Sequence, residues 1–182
     1  MLKLKIACLI SVVCLQLDAS LSGASDTSEE LKEGEFQAGI IYHIANFSEW
    51  PNSVQEKDAF TIGFIGESKV RDISSTFSKL KIAGKPVKVK LYYPFDVDVD
   101  CDLLFIGKDQ SPELSELLMR FKNTQTMTVS GMKHFSLKGG CVGLVKKSSR
   151  FKFEINLSAA NQEGIQIRST LLKLANKVYQ DE

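Results

Sequence analysis

Two short and largely apolar segments constrain the fold of this chain more than any other feature. Phe60–Ile65 (FTIGFI) and Leu103–Ile106 (LLFI) have the length and composition of strands that are buried on both faces. Helical periodicity precedes the first segment, over residues 29–50, and follows it, over residues 68–80. Because buried strands that alternate with helices are typical of parallel sheets covered on both faces, the sequence predicts a three-layer α/β fold in a single domain.

The remaining segments predict that this mainly parallel sheet has mixed, antiparallel edges. Lysines alternate with apolar residues over 87–91, which is typical of a strand with one wet face near a sheet edge. Residues 142–145 and 150–155 predict an antiparallel pair, and residues 126–129 a third buried strand. Helices are predicted over residues 111–122, with Ser111 as N-cap and Pro112 at the first helical position, over 157–162, and over 168–179.

The first 24 residues have the layout of a secretory signal peptide. Lys3 and Lys5 are basic, residues 6–17 are apolar, and Ser22-Gly23-Ala24 offers small side chains before a cleavage site. The apolar run is shorter than the roughly 20 residues that a membrane-spanning helix needs. The sequence therefore predicts cleavage after Ala24, a mature domain of residues 25–182, a periplasmic location and no stable membrane insertion.

Charge and location together narrow the classes of function. Removal of residues 1–24 leaves 21 basic and 21 acidic residues, so the mature chain carries no net charge. Nucleic-acid binding depends on a strong basic excess, and we therefore do not expect it. A periplasmic protein has no supply of ATP, GTP or NAD(P)H, and we expect no cofactor. Binding, sensing, assembly and hydrolysis are the classes that remain.

Cys101 and Cys141 are the two cysteines of the predicted mature chain. In an oxidising compartment such a pair is able to form one disulfide, and the alternative is two buried thiols that act as small apolar groups. The sequence leaves both alternatives open. A metal site is not expected, because Cys-x-x-Cys is absent and the two histidines lie far apart. The acidic run over residues 96–102 lacks the glycine and glutamate of a calcium-binding EF-hand loop.

No catalytic motif accompanies these features, and we expect no enzymatic activity. The sequence has no G-x-S-x-G, no H-E-x-x-H and no phosphate-binding glycine loop. Four residues are candidates for partner contacts: Trp50 before a proline, His134 in a glycine-bounded loop, Glu154 on an alternating strand and Arg168 at a predicted helix start. Each has a structural alternative, which for Trp50 is a core anchor and for Glu154 and Arg168 an ordinary solvated charge.

Four stretches in this order resemble the YfiR-like family of periplasmic proteins. Residues 41–51 (IYHIANFSEWP) are similar to its Y-x-x-x-F-x-x-W-P signature, and residues 101–107 to its C-x-x-L-F-I segment. Residues 129–144 resemble the family's loop that ends in Gly-Gly, and residues 151–175 (FKFEINLSAANQEGIQIRSTLLKLA) its C-terminal motif. Arg168 and Thr170 depart from that last motif, so contacts made there are expected to differ.

The resemblance implies a non-enzymatic repressor. Such proteins bind the periplasmic part of an inner-membrane diguanylate cyclase and hold it inactive, and an outer-membrane-associated lipoprotein sequesters the repressor. Release of the cyclase raises cyclic di-GMP and favours exopolysaccharide and biofilm. For this chain, we hypothesise that the C-terminal segment around Glu154 and Arg168, with the His134 loop, contributes to the partner surface, and a homodimer is compatible with the resemblance.

Three other functions compete with this hypothesis. A small-ligand-binding sensory module would use a cleft near the strand ends, where α/β sheets bind ligands. An envelope assembly accessory would act without any effect on cyclic di-GMP. An exported enzyme is the weakest of the three, because neither a nucleophile–base pair nor a metal-ligand set is present in the sequence.

Overall fold

The structure of the chain, a computed structural model, describes residues 22–68, 74–93, 99–147 and 150–180. Most of the predicted signal peptide, residues 1–21, lies outside the described residues. The same is true of residues 69–73 in the predicted helix 68–80 and of Asp96 and Asp98 in the acidic run.

Ten strands, numbered in chain order, form one large sheet and one small ladder. The ladder pairs β1 (Ser48–Glu49) with β9 (Gln166–Ile167) in antiparallel orientation. The large sheet contains the other eight strands in the order β10-β8-β7-β6-β5-β2-β4-β3. These strands are β2 (Phe60–Ile65), β3 (Lys81–Ile82), β4 (Lys85–Tyr92), β5 (Leu103–Ile106), β6 (Met127–Ser130), β7 (Val142–Lys147), β8 (Arg150–Asn156) and β10 (Lys177–Tyr179).

The large sheet is mainly parallel, as the sequence predicts. The five strands from β4 through β2, β5 and β6 to β7 pair in parallel, and β10 is parallel to β8. The β3–β4 and β7–β8 pairs are antiparallel, which confirms the mixed edges. The predicted 142–155 pair does not itself form the edge, because β10 lies outside it.

The centre of the sheet is apolar on both faces, which explains the short apolar runs. Side chains of β2 and β5 alternate between two separate core clusters. Phe64 and Phe105 point into the first cluster, whereas Leu104 and Ile106 point into the second. All six residues of β2 and all four of β5 are buried, because helices or turns cover both faces.

Within the described residues, five α-helices supply these two outer layers: α1 (Ser22–Asn46), α2 (Asn52–Gln55), α3 (Leu114–Arg120), α4 (Leu157–Gln162) and α5 (Ser169–Leu172). On one side, α1 buries Ile41 and Ile44 completely in the first cluster. On the other side, α3 buries Leu114 and Leu117 in the second cluster. The helix–sheet–helix arrangement confirms the predicted three-layer α/β architecture.

Several helix boundaries differ from the sequence prediction. The first helix begins at Ser22 rather than near residue 29, and the described part of the predicted helix 68–80 forms a 3-10 helix over Ser74–Lys79. The first helix ends at Asn46 rather than at Trp50, because Ser48 and Glu49 leave the helix to pair with β9. The third helix begins at Leu114, and Ser111 instead ends a 3-10 turn over Lys108–Gln110. That turn follows directly from the β2–β5 ladder, which is continued by the Gly107 N–H donating to the Ile65 carbonyl.

The prediction of a long last helix over residues 168–179 is wrong. The helix α5 ends at Leu172, and Lys177–Tyr179 form β10 beside β8. Backbone pairing and side-chain hydrogen bonds to β8 outweigh the helical periodicity of the segment. The competing contacts are long-range, so the local apolar pattern contains no sign of them.

Candidate functional site

An apolar groove lies between the C-terminal half of α1, β8 and α5. Its cavity volume is about 200 Å³, and apolar side chains make up most of its wall. Residues that line it include Ile40, His43, Phe47, Phe153, Leu171 and Leu174. We call this feature the α1–α5 groove.

The α1–α5 groove exposes apolar surface to solvent. Leu171 is buried at its base, whereas Phe47 is 42% exposed and Leu174 is 73% exposed. The exposed stripe continues along α1, where the Phe36 ring lies 5.7 Å from the Phe151 ring. Contiguous apolar surface of this kind on a folded domain marks a protein or ligand contact more often than an isolated exposed side chain does.

The sequence of α1 explains why this stripe remains open. Residues 36, 40, 44 and 47 recur at intervals of one helical turn, and Ile41 and Ala45 widen the apolar face. The sheet covers only part of that face, with Ile41, Ile44 and Ala45 fully buried. Ile40 and Phe47 therefore remain available at the side of the helix.

Trp50 fixes the end of α1 and does not line the groove. Its indole N–H donates to the Ala45 carbonyl at 2.9 Å, and its ring meets the Phe60 ring edge-on, with centroids 4.7 Å apart. Only 4% of Trp50 is exposed. The tryptophan is a core anchor and offers no exposed aromatic surface for a partner, which corrects the partner-contact interpretation.

Arg168 stands at one end of the α1–α5 groove. It precedes α5, and its backbone N–H donates to the Phe47 carbonyl at 3.2 Å. Its Nε lies 3.4 Å from Glu49 Oε1, and both side chains are more than half exposed. A solvated ion pair of this kind contributes little to stability, so both charges are available to orient a partner.

Glu154 is half-buried and serves the fold directly. Its carboxylate accepts hydrogen bonds from Asn176 Nδ2 at 3.1 Å and from the Tyr179 hydroxyl at 3.2 Å. Both donors belong to the C-terminal segment that contains β10. The carboxylate therefore attaches that segment to the sheet and is not an unengaged surface charge.

His134 is exposed in the turn over residues 131–140 and has a left-handed φ of 60°. This turn contacts β8, since Ser136 Oγ donates to the Glu154 carbonyl and Asn156 Nδ2 donates to the Ser136 carbonyl. The structure therefore brings the His134 turn and Glu154 together. Arg168 lies apart from them, beside the α1–α5 groove.

Cys101 and Cys141 are both buried free thiols, and they belong to different core clusters. Burial raises the pKa of the Cys101 thiol to about 12, and the neighbouring Asp102 and Asp100 add to the increase. Burial also raises the pKa of the Cys141 thiol. This arrangement fits the alternative of two buried, unreactive thiols, because the thiolate is the nucleophilic form.

The crevice at the carboxyl ends of β2 and β5 is the usual ligand site of such a sheet, because the strand order reverses there. In the described residues, the Asp109 side chain occupies it. Asp109 Oδ1 accepts from the Glu67 N–H at 2.8 Å. A Cβ atom added at Gly66 or Gly107 would lie 2.5 or 2.4 Å from that oxygen. The chain's own carboxylate therefore fills the described part of the crevice.

Neither a metal-binding cluster nor a membrane-spanning helix is found over the described ranges. No group of three or more His, Cys, Asp or Glu side chains there is arranged to hold a metal ion. None of the helices in that part of the chain combines the length and apolar character needed to cross a membrane.

The sequence did not single out the α1–α5 groove. The helical pattern over residues 29–50 includes Phe47, but the pattern alone does not show which of its apolar residues the sheet leaves uncovered. Leu174 was missed because the predicted helix 168–179 placed it on an ordinary helical turn. The signal that could have found the groove is the width of the α1 apolar face, which exceeds what one sheet face covers.

Comparison with solved structures shows the fold alone. The ABC domain in complex with L-Trp from Streptococcus pneumonia matches 66% of this chain with a TM-score of 0.50 and 16% identity. A conserved domain protein from Vibrio cholerae O1 biovar eltor matches the same share with a TM-score of 0.50 and 14% identity. This chain spans 55% of the length of each of these structures. No curated protein sequence matches the chain.

A family model matches residues 34–176, which include α1 from its middle onward, every strand of the large sheet except β10, and all the lining residues of the α1–α5 groove. The match extends over most of the chain and over all four stretches that carried the resemblance. The chain therefore belongs to the DUF4154 family, which is YfiR/HmsC-like and whose members are periplasmic regulators of diguanylate cyclases rather than enzymes.

Proposed function

We propose that this protein binds the periplasmic part of an inner-membrane diguanylate cyclase and holds it inactive, with the α1–α5 groove as the docking site. The observation that carries the proposal is the exposed apolar wall formed by Phe47 and Leu174 next to the buried Leu171. Family membership supplies the class of partner.

The groove suits a reversible protein contact. Each large apolar side chain that leaves water on docking contributes about 1.5–3 kcal/mol, and aromatic anchors in such pockets dominate binding energies. The Arg168–Glu49 pair at the groove end sets the orientation of the partner through its charges. A preference of about 3 kcal/mol for the inactive form of the cyclase would shift its equilibrium roughly 150-fold.

The test begins with cyclic di-GMP in the native host. Deletion of the gene is expected to raise intracellular cyclic di-GMP, and the exported wild-type protein is expected to restore the lower level. Biofilm and exopolysaccharide should follow the same direction. No change under several growth conditions would refute repression.

A matched pair of variants then tests the groove itself. Leu174→Gln places a polar group in the groove wall, whereas Met119→Gln changes a residue of similar exposure, 71%, on α3. We expect Leu174→Gln to lose repression and Met119→Gln to retain it, with both proteins present at equal amounts. Equal repression by the two variants would remove the groove from the mechanism and leave the cyclase proposal standing.

The lipoprotein and the homodimer are further parts of the proposal. A sequestering lipoprotein that covers the α1–α5 groove would release the cyclase by direct competition. Sedimentation of the mature chain, alone and with the periplasmic domain of the cyclase, distinguishes a one-to-one complex from a dimeric repressor.

A small-ligand sensor is the second candidate, because a cavity of about 260 Å³ lies between α3, the turn over 131–140 and α4. Lys122 and Lys138 line it, and neither forms an ion pair within the described ranges. A thermal shift with small carboxylates that is lost in Lys122→Ala/Lys138→Ala would favour this candidate. An unchanged melting temperature with every compound would count against it.

A further inference from the structure

The segment over residues 173–180 combines two conflicting structural preferences. Leu171, Leu172, Ala175 and Val178 follow helical spacing, and α5 already provides the first helical turn of that pattern. The structure instead ends the helix at Leu172 and pairs Lys177–Tyr179 with β8. Where the local sequence pattern favours one conformation and the structure shows another, the two conformations differ little in free energy.

Few contacts hold this segment in its strand form. Only three residues of β10 pair with β8, and the Asn176 N–H donates to the Phe153 carbonyl at 2.8 Å. Lys177 and Val178 are exposed, so the strand buries little apolar surface. Short segments with exposed side chains open at a lower free-energy cost than the core does.

The Glu154 carboxylate is the main side-chain attachment of the segment. It accepts from Asn176 Nδ2, directly before β10, and from the hydroxyl of Tyr179, the last residue of β10. Hydrogen bonds to a charged acceptor are stronger than neutral ones. Glu154 is therefore a positioning residue for β10.

We propose that residues 173–180 form a two-state element, in which a strand fastened by Glu154 exchanges with a C-terminal extension of α5. In the strand form, β10 covers Glu154, Ile155 and Asn156 along the edge of β8. In the helical form, this edge is uncovered, and the apolar stripe of α5 lengthens by two turns.

The exchange changes the α1–α5 groove, because Leu174, which lines the groove, lies within the element, and Leu171, which also lines it, lies two residues before the element. A partner that docks in the groove binds one of the two forms more tightly than the other, and so shifts the population of the element toward that form. This consequence rests on the proposed docking function. The two-state element itself does not, since it is a property of the isolated chain.

Hydrogen exchange of the isolated mature protein tests the element without any partner. We expect the amides of residues 176–179 to exchange by local opening, faster than the amides of β5. Glu154→Ala should accelerate them about tenfold or more, and Tyr179→Phe, which keeps the ring, should do so about fivefold. Glu163→Ala is the matched control, because its carboxylate also accepts from two donors, and these are the Asn123 and Gln125 N–H groups in the loop after α3 and not groups of β10.

Backbone chemical shifts identify the second state. In Glu154→Ala, the shifts of residues 173–179 should move toward helical values, and Ala175→Gly added to it should reduce that helical population about fivefold. Unchanged exchange in both Glu154→Ala and Tyr179→Phe would overturn the proposal. Faster exchange with shifts that move toward unstructured values would also overturn it, because the released segment would then be a frayed end and not a helix.

Discussion

The centre of the large sheet and its edge, formed by β10 on β8, follow different physical rules. In the centre, β2 and β5 are buried on both faces, and their apolar side chains need no particular partner to be stable. At the edge, β8 is partly exposed, and hydrogen bonds from distant residues decide which segment covers it. The centre therefore carries the stability of the fold, while the edge retains the freedom that a regulator needs to respond to a partner.

The largest loss of stability is expected at the centre. Phe64→Ala removes a ring whose centroid lies 6.0 Å from that of Phe105 and 6.2 Å from that of Phe77, where little repacking is available. The free energy of unfolding should fall by about 3–5 kcal/mol, as measured by urea denaturation. A loss below about 1 kcal/mol would mean that the centre does not carry the stability assigned to it.

A polar attachment at the amino end of β5 should have the next largest effect. Asp102 is buried, bonds Lys57 Nζ at 2.8 Å and accepts from the Thr61 N–H at 2.7 Å. Asp102→Ala leaves both donors without that acceptor, so we expect a loss of about 2–3 kcal/mol in urea unfolding. Asp100→Ala is the control, because Asp100 is largely exposed and should cost far less.

The same attachment has a defined pH dependence. Burial lowers the pKa of Lys57, but the hydrogen bonds and charges of Asp102 and Asp100 outweigh burial and raise it above the ordinary 10.5. A raised lysine pKa gives stability that is complete below pH 10.5 and is lost as the pH rises through the folded pKa. A fall in the free energy of unfolding between pH 7 and 9 that came from the Lys57–Asp102 pair would contradict the raised pKa of Lys57.

A smaller effect is expected at Glu163, which holds the loop after α3. Its two oxygens accept from the Asn123 and Gln125 N–H groups at 2.8 and 2.9 Å, and both residues have left-handed φ angles. Glu163→Gln retains one acceptor oxygen and should cost about 1–2 kcal/mol. Urea unfolding gives the value, and Gln162→Glu, at the exposed neighbouring position, should be nearly neutral.

At the edge, stability and function should separate. Leu174→Gln changes a mostly exposed side chain, so the free energy of unfolding should stay within about 0.5 kcal/mol of wild type. Under the proposed function, the same variant loses repression. A large loss of stability at Leu174 would erase the distinction between centre and edge.

Ionisation of the two thiols should have no effect on stability at neutral pH. Because burial raises the pKa of Cys101 from 9.0 to about 12, its contribution is constant below pH 9 and is lost between about pH 9 and 12. A thiol reagent should react slowly with the native protein at pH 8 and should detect two thiols once the mature chain is unfolded without reductant. Detection of none would establish a disulfide.

The sequence predicts the centre of the fold well for a physical reason. Strands buried on both faces are mostly apolar, and so β2 and β5 are visible as short apolar runs. The antiparallel β7–β8 pair could also be predicted from the sequence, because its two strands are adjacent in the chain. The three-layer arrangement is then predicted from the alternation of buried strands and helices along the chain.

The edge could not be predicted in the same way. The β10 strand depends on Glu154 and on the free side of β8, and local spacing alone favours a helix there. The α1–α5 groove arises because the apolar face of α1 is wider than the part that the sheet covers. Only the packed structure shows how much of that face is covered. For the same reason, Trp50 was considered as a partner contact although it is a core residue.

The small β1–β9 ladder has a consequence for the order of folding. It pairs Ser48 with Ile167, so the end of α1 is fixed by residues near the other end of the chain. Contacts over such a sequence separation require closure of a long loop and form slowly. The first helix therefore reaches its final position only after the last part of the chain is present. Until then, the incomplete chain remains accessible to chaperones.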